Sequence, residues 1–276
     1  MTKCHKKDAE RRKALGTLTK AARNRMRTSD SFLDGVHAYR IDREQFIIYI
    51  GGDPDAKAAE DGGESGVEYN MADRFERNLM ILSGIDPQRA ILIIMASCGG
   101  DWEEGMQMFA AILGCPNPVT VLAVKWPRSM TSIIPLAADR FLIRPPARYM
   151  IHRGTYGFTG TDHQAETDDI ERRITKKLML QIYATRLKEQ GIYRDLSIED
   201  ICNLLDQKMR DRVDVWESAD RVVEEGFADA VCTGDPRTQC ATKVHHERRA
   251  RMLATLRLEW DWEDPKITPR DPRIKK

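Results

Sequence analysis

Residues 119–138 read VTVLAVKWPRSMTSIIPLAA. The first six have the length and β-branched content of a strand buried on both faces. Residues 125–128 then turn the chain, and the hydroxyls of Ser129, Thr131 and Ser132 stand just before the apolar run Ile133, Ile134, Pro135 and Leu136. Two readings of Ser129 are open. It caps a helix that enters the core over residues 129–138, or it is a nucleophile on a strand-to-helix turn whose following amides receive negative charge.

Outward from this stretch the pattern repeats. Upstream, residues 71–85 carry apolar side chains at helical spacing, residues 90–95 form a continuous apolar run ended by Gly99 and Gly100, and residues 103–113 return to the helical period. Residues 45–50, QFIIYI, give the first strand, closed by Gly51 and Gly52. Downstream, residues 141–143 and 149–151 give short strands. Strands apolar on both faces and alternating with helices predict an α/β domain with a mainly parallel sheet. Beyond His152 comes a Gly- and Thr-rich stretch, RGTYGFTGTDHQ, then a long charged helix over about residues 165–190 with Gly191 as its C-cap. A helix over 197–209, a strand over 213–216 and a helix ending at Gly226 complete the compact part. The expected organisation is a basic arm over 1–40, a domain over 41–235 and a charged extension over 236–276 that holds a helix at 243–258.

The chain has 276 residues, enough for a large core, and its charged residues, 32% of the total, nearly cancel to a formal +1. Global charge therefore argues against a nucleic-acid or membrane partner. The arm is the local exception, with ten Lys or Arg against two acids over residues 3–27, as expected of a solvated segment. The acidic stretch over 51–70 lacks the alternating spacing of a calcium loop and reads as an insertion. No run approaches the roughly 20 apolar residues of a bilayer span. The start, MTKCHKKDAERRKALG, lacks the apolar centre of a secretory signal. Six scattered cysteines without CxxC pairs suit a reducing, cytoplasmic setting; an organellar or virus-associated setting is the alternative.

Three features fall at strand ends, where open α/β sheets place their sites: Ser97-Cys98-Gly99-Gly100, Ser129-Met130 and His152. Together they supply parts for acyl transfer. A serine hydroxyl needs an imidazole to take its proton, the imidazole needs a carboxylate to fix its tautomer, and the tetrahedral intermediate needs NH donors.

In this order, IIMASCGGDWEEGM, KWPRSM, RYMIHRG and DVWESADRVVEEGFADAV resemble the proteolytic subunit of the Clp protease, within the ClpP/crotonase superfamily. That family carries a Ser-Pro-Gly-Gly turn, an Ala-Ser-Met turn and a Met-Ile-His-Gln-Pro segment in sequence, with the same interval from glycine pair to serine as from Gly99 to Ser129. The resemblance covers about residues 45–232. It implies a spiral of β-β-α units with a projecting strand-helix handle, here at about 153–191. It also implies Ser129 as nucleophile, His152 as general base, Asp214 as third triad member with Asp211 as competitor, and the backbone amides of Gly100 and Met130 as oxyanion hole. Ser132 is the alternative hydroxyl and stands where the family has a small residue. It further implies polypeptide substrates, a homo-oligomer of stacked heptameric rings, an AAA+ unfoldase partner, and neither cofactor nor metal.

The chain departs from the pattern at several places. Cys98 replaces a proline, Pro127-Arg128 replace small residues, and Arg153-Gly154 replace Gln-Pro; Trp126 and Arg128 would crowd or charge the substrate groove. The interval from His152 to Asp214 is long, with extra residues around 192–206. Cys98 is expected to face away from the site, His163 to be a surface residue of the handle, and Cys240, His245 and His246 to have poor spacing for a metal. Competing readings are a phage or viral head-maturation protease on the same fold, a catalytically silent ring subunit, and a crotonase-like acyl-CoA enzyme, in which the serine, histidine and aspartate would have no purpose.

Overall fold

A computed structural model describes residues 30–51 and 66–260. Most of the basic arm, most of the acidic insertion and the end of the C-terminal extension lie outside the described residues.

The apolar runs become the centre of the sheet. In chain order, α1 (Asp30–His37) leads to β1 (Ile41–Asp42) and β2 (Ile47–Gly51). α2 (Tyr69–Ile85), β3 (Ile91–Ala96), α3 (Trp102–Gly114) and β4 (Val119–Ala123) follow. β5 (Arg140–Ile143) and β8 (Ala230–Val231) complete a six-stranded sheet of order β1-β2-β3-β4-β5-β8. All its pairs are parallel except β1 with β2. Every residue of β4 is buried, as a middle strand covered on both faces requires. One face of the sheet meets α2, α3 and the helices behind them in the main core, and the other carries a smaller cluster of Ile47, Leu92, Leu122, Leu142 and Cys232.

Residues 129–138 do not form one regular helix. A short α4 (Met130–Ile133) runs into a 3-10 turn over Ile134–Ala137, in which Pro135 supplies no amide for a longer α-helical ladder. β6 (Arg148–Ile151) and β7 (Val215–Ser218) form a separate antiparallel pair.

The long helix α5 (Asp162–Leu187) begins at a capping box of Thr161 and Gln164. At 26 residues it spans about 39 Å. Its first half is largely exposed, while Met179, Leu180, Ile182, Tyr183, Ala184 and Leu187 are buried. The strand of the handle is absent among the described residues: 152–159 form no ladder, because a lone segment without a neighbouring edge has no partner for its backbone. Gly191 is not the cap of α5, which ends at Leu187 with Lys188 as its C-cap. With φ at +84° it lies where a Cβ would come 2.3 Å from the carbonyl oxygen of Glu225, so it serves a close backbone crossing.

α6 (Ile198–Arg212) and α7 (Ala219–Glu225) bracket β7. The compact part does not stop at residue 235. α8 (His246–Leu256) packs against the domain with Arg248, Arg249, Met252 and Thr255 buried. Among the described residues no helix is long and apolar enough to cross a membrane.

Candidate active site

Parallel pairing of β3 with β4, Met95 opposite Ala123, sets the loops leaving both strands side by side. The first holds Gly99 and Gly100. Gly99 lies at φ +98°, where a Cβ would sit 2.6 Å from the Arg128 carbonyl oxygen and 2.7 Å from Ser129 Cβ, so only glycine permits the two turns to touch. Gly100 is held by the flanking bonds Val67 N to Gly99 O (2.8 Å) and Asp101 N to Val67 O (2.9 Å), while its own amide has no acceptor among the described residues.

Ser129 occupies the position before α4, but its hydroxyl caps nothing. Its backbone lies at φ +53° and ψ −129°, a conformation that costs a non-glycine residue about 1–3 kcal/mol. The capping reading therefore fails, and the hydroxyl has no hydrogen-bond partner among the described residues. Thr131 pins the turn instead: its Oγ1 lies 2.9 Å from both Ser97 O and Arg128 O, which share its one proton, and it accepts from Arg128 N (3.1 Å). The amide of Met130 also lacks an acceptor among the described residues.

β6 brings in the imidazole. Arg128 bridges Met150 in parallel, with Met150 N bonding Pro127 O (3.0 Å) and Ser129 N bonding Met150 O (3.2 Å). His152 follows two residues later. In the antiparallel pair Ile151 faces Val215, so one further step sets His152 opposite Asp214. The chain reaches β7 through Val213, whose φ of +61° is strained for a β-branched residue. His152 Nδ1 lies 3.6 Å from Asp214 Oδ1, and His152 Nε2 is buried without a hydrogen-bond partner among the described residues. Burial pulls the His152 pKa below its ordinary value; Asp214 opposes this and the Arg128 cation adds to it.

A cleft of about 900 Å³ is lined by Gly99, Gly100, Ser129, Met130 and His152 on one side, and by Tyr156, Thr175, Met179 and Tyr183 on the other. Asp211 is elsewhere, on the exposed last turn of α6, accepting from Gln207 (2.7 Å). Cys98, expected to be turned away, borders the cleft and is half-buried. His163 is a surface residue beside Glu166. Cys240 lies near Pro236 O, and His245 accepts from Arg248 N at the start of α8. Ser132 is fully buried and tied into a hydrogen-bond network rather than presented to the cleft.

Two groups around the site escaped sequence reasoning. Asp206 of α6 gathers Arg153 (2.7 Å), Lys176 (3.5 Å) and Arg210 (2.9 Å), fixing the residue after His152. Tyr149 and Tyr183 bond Ser132 from opposite sides. The i, i+4 spacing of Asp206 and Arg210 was a readable signal; the tyrosine contacts span too much sequence to leave one.

A family model described as Clp protease matches residues 64–235. The chain belongs to the Clp protease family. Curated relatives of this Clp protease chain include the ATP-dependent Clp protease proteolytic subunit 2 of Thermobifida fusca, 28% identical over 172 residues, 62% of this chain and 78% of that protein. Subunit 1 of Streptomyces avermitilis is 30% identical over 170 residues, 60% of this chain and 71% of that protein. Subunit 1 of Chlamydia muridarum is 28% identical over 159 residues, 56% and 76% of the two chains. The Clp chain is accordingly a hydrolase, a serine peptidase of the Clp type with a ClpP/crotonase-like fold.

Proposed function

We propose that this chain cleaves peptide bonds through an acyl-enzyme formed on Ser129. His152 takes the serine proton through Nε2 and returns it to the leaving amine, Asp214 orients His152 through Nδ1, and the amides of Gly100 and Met130 receive the oxyanion. The observation that carries the reading is the double pairing of β6. One edge is bridged to the serine turn and the other is in register with the strand of Asp214. The Ser129 hydroxyl, His152 Nε2 and the two amides, all without partners among the described residues, border one cleft, as four groups waiting for the same substrate would.

A homo-oligomeric chamber of stacked heptameric rings, fed by an AAA+ unfoldase, belongs to the same proposal. It is motivated by the family and by the exposed first half of α5. A cytoplasmic setting fits the free cysteines, Cys98, Cys115, Cys202, Cys232 and Cys240. The test is covalent labelling with a fluorophosphonate probe combined with native mass. The wild type is expected to be labelled within a ring-sized assembly, and Ser129→Ala to assemble without labelling. An assembled wild type that stays unlabelled overturns the hydrolytic reading.

The histidine must be neutral to act as base, so its lowered pKa keeps activity high to a lower pH than an ordinary histidine would. Removing the Arg128 cation favours the imidazolium, so Arg128→Gln is expected to move the acid limb of kcat/KM to higher pH. A limb that stays in place or moves down would refute the electrostatic assignment.

A further inference from the structure

We propose that Ser132, held in place by Tyr183 of α5, is a positioning residue that aims the Met130 amide at the oxyanion. This rests on the reading of Ser129 and Met130 given above, and it concerns how a strained turn keeps its direction.

Besides opening the first turn of α4, the carbonyl of Ser129 accepts two hydrogen bonds from Ser132, one from its amide (2.9 Å) and one from its Oγ (2.6 Å). Carbonyl and amide of one peptide unit are locked in a common plane and point in opposite directions. Fixing the Ser129 C=O therefore fixes the Met130 N–H. Backbone bonds alone leave the plane some freedom to rock, and the shorter Ser132 Oγ bond on the same oxygen narrows it. The turn has a reason to move, since Ser129 sits at a disfavoured φ of +53°.

The direction of the network follows from counting hydrogens. Ser132 has a single hydroxyl proton, and the Ser129 carbonyl oxygen is only an acceptor, so that proton is committed. At the 2.5 Å contact between Ser132 Oγ and Tyr183 Oη, Tyr183 must then be the donor. Tyr149 Oη donates to the Ser132 carbonyl (2.7 Å), steadying the same residue from the other side. Ser132, Tyr149 and Tyr183 are fully or almost fully buried, and burial pushes both tyrosine pKa values up, so both phenols stay protonated donors. Tyr183 also borders the cleft, and it lies in the buried last part of α5. This helix is thus coupled to the oxyanion donor through two side chains.

The test compares Ser132→Ala, Tyr183→Phe and the double variant with wild type. The readouts are kcat and KM on a fluorogenic peptide, and the inhibition constant of a peptide boronate, whose tetrahedral adduct places an oxygen where the oxyanion forms. Deleting an oxyanion donor outright costs about 10²–10³ in kcat, so loosening one is expected to cost about tenfold. In Ser132→Ala, kcat and boronate affinity should fall together by that factor with KM nearly unchanged. Tyr183→Phe should show a smaller loss of the same kind. The double variant should be no worse than Ser132→Ala, because Tyr183 acts through Ser132. Unchanged kcat and boronate affinity in Ser132→Ala, or a loss confined to KM, would overturn the proposal. If Ser132→Ala does not assemble, Tyr183→Phe decides on the same criteria. A fluorophosphonate-labelled wild type with indifferent variants sinks this inference alone, whereas an unlabelled wild type sinks the reading beneath it.

Discussion

Asp214→Asn is expected to lower kcat by on the order of a thousandfold while leaving KM and assembly close to wild type, and Asp211→Asn is expected to do almost nothing. In a buried Ser-His-Asp set the same replacement costs about 10⁴, because the amide presents a donor where the histidine needs an acceptor and the wrong tautomer results. Here the Asp214 side chain is 47% exposed and its oxygen stands 3.6 Å from Nδ1, so solvent takes part of the charge stabilisation and the loss is smaller. The effect must still far exceed that at Asp211, whose carboxylate serves an exposed i, i+4 contact with Gln207. Steady-state kinetics on one fluorogenic peptide checks both variants. Equal effects at the two positions, or a larger one at Asp211, would remove Asp214 from the proposed mechanism. A second consequence concerns pH. Losing the Asp214 charge removes what holds the His152 pKa up against burial and Arg128, so the acid limb of the residual activity should move down, opposite in sign to Arg128→Gln.

The choice between these aspartates shows where sequence reasoning reaches its limit. The strands over 91–96 and 119–123 were readable because burial on both faces leaves an unbroken apolar run. Ser129 and His152 stood out as residues at strand ends, and their roles are what the resemblance implies, through the order and interval of its motifs. The distance from His152 to the third residue crosses α5, α6 and the extra residues of that region, and no periodicity within them states where β7 begins. A non-local quantity settles which aspartate lies beside His152: the antiparallel register of Ile151 with Val215. The Ser132 network was hidden for the same reason, since Tyr183 lies 51 residues from Ser132 and reads on its own as one more apolar position on a helix face. Ser129 illustrates the opposite failure. A hydroxyl before an apolar helix is a good cap by local rules, and only the backbone angle of the turn shows that it is not one.

Charge misled most in the C-terminal extension. The segment HERRARMLATL is rich in arginine and was set outside the compact domain, yet Arg248 and Arg249 are each 5% exposed. Arg249 packs its guanidinium on Asp139, with Nε 3.0 Å from Oδ1, and donates to the carbonyls of Cys115 and Asn117. Asp139 also receives the amides of Val119 and His245, both at 2.7 Å, so one carboxylate joins the start of β4 to the start of α8. Such a pair gives little net stability relative to an apolar one, but breaking it strands a charge without solvent. Arg249→Ala is therefore expected to destabilise the fold by about 3–5 kcal/mol, which at about 2–4 °C per kcal/mol for a domain of this size lowers Tm by roughly 10 °C. Arg251→Ala, which removes an arginine 47% exposed and paired with Glu189, should cost less than about 1 kcal/mol. Glu189 keeps Arg186 and Arg248 as partners. The double variant Asp139→Asn, Arg249→Met should be milder than Arg249→Ala, because it leaves no buried charge alone. Thermal unfolding measures all three. A shift in Arg249→Ala no larger than in Arg251→Ala would mean that the last helix rests on the domain without belonging to its cooperative unit.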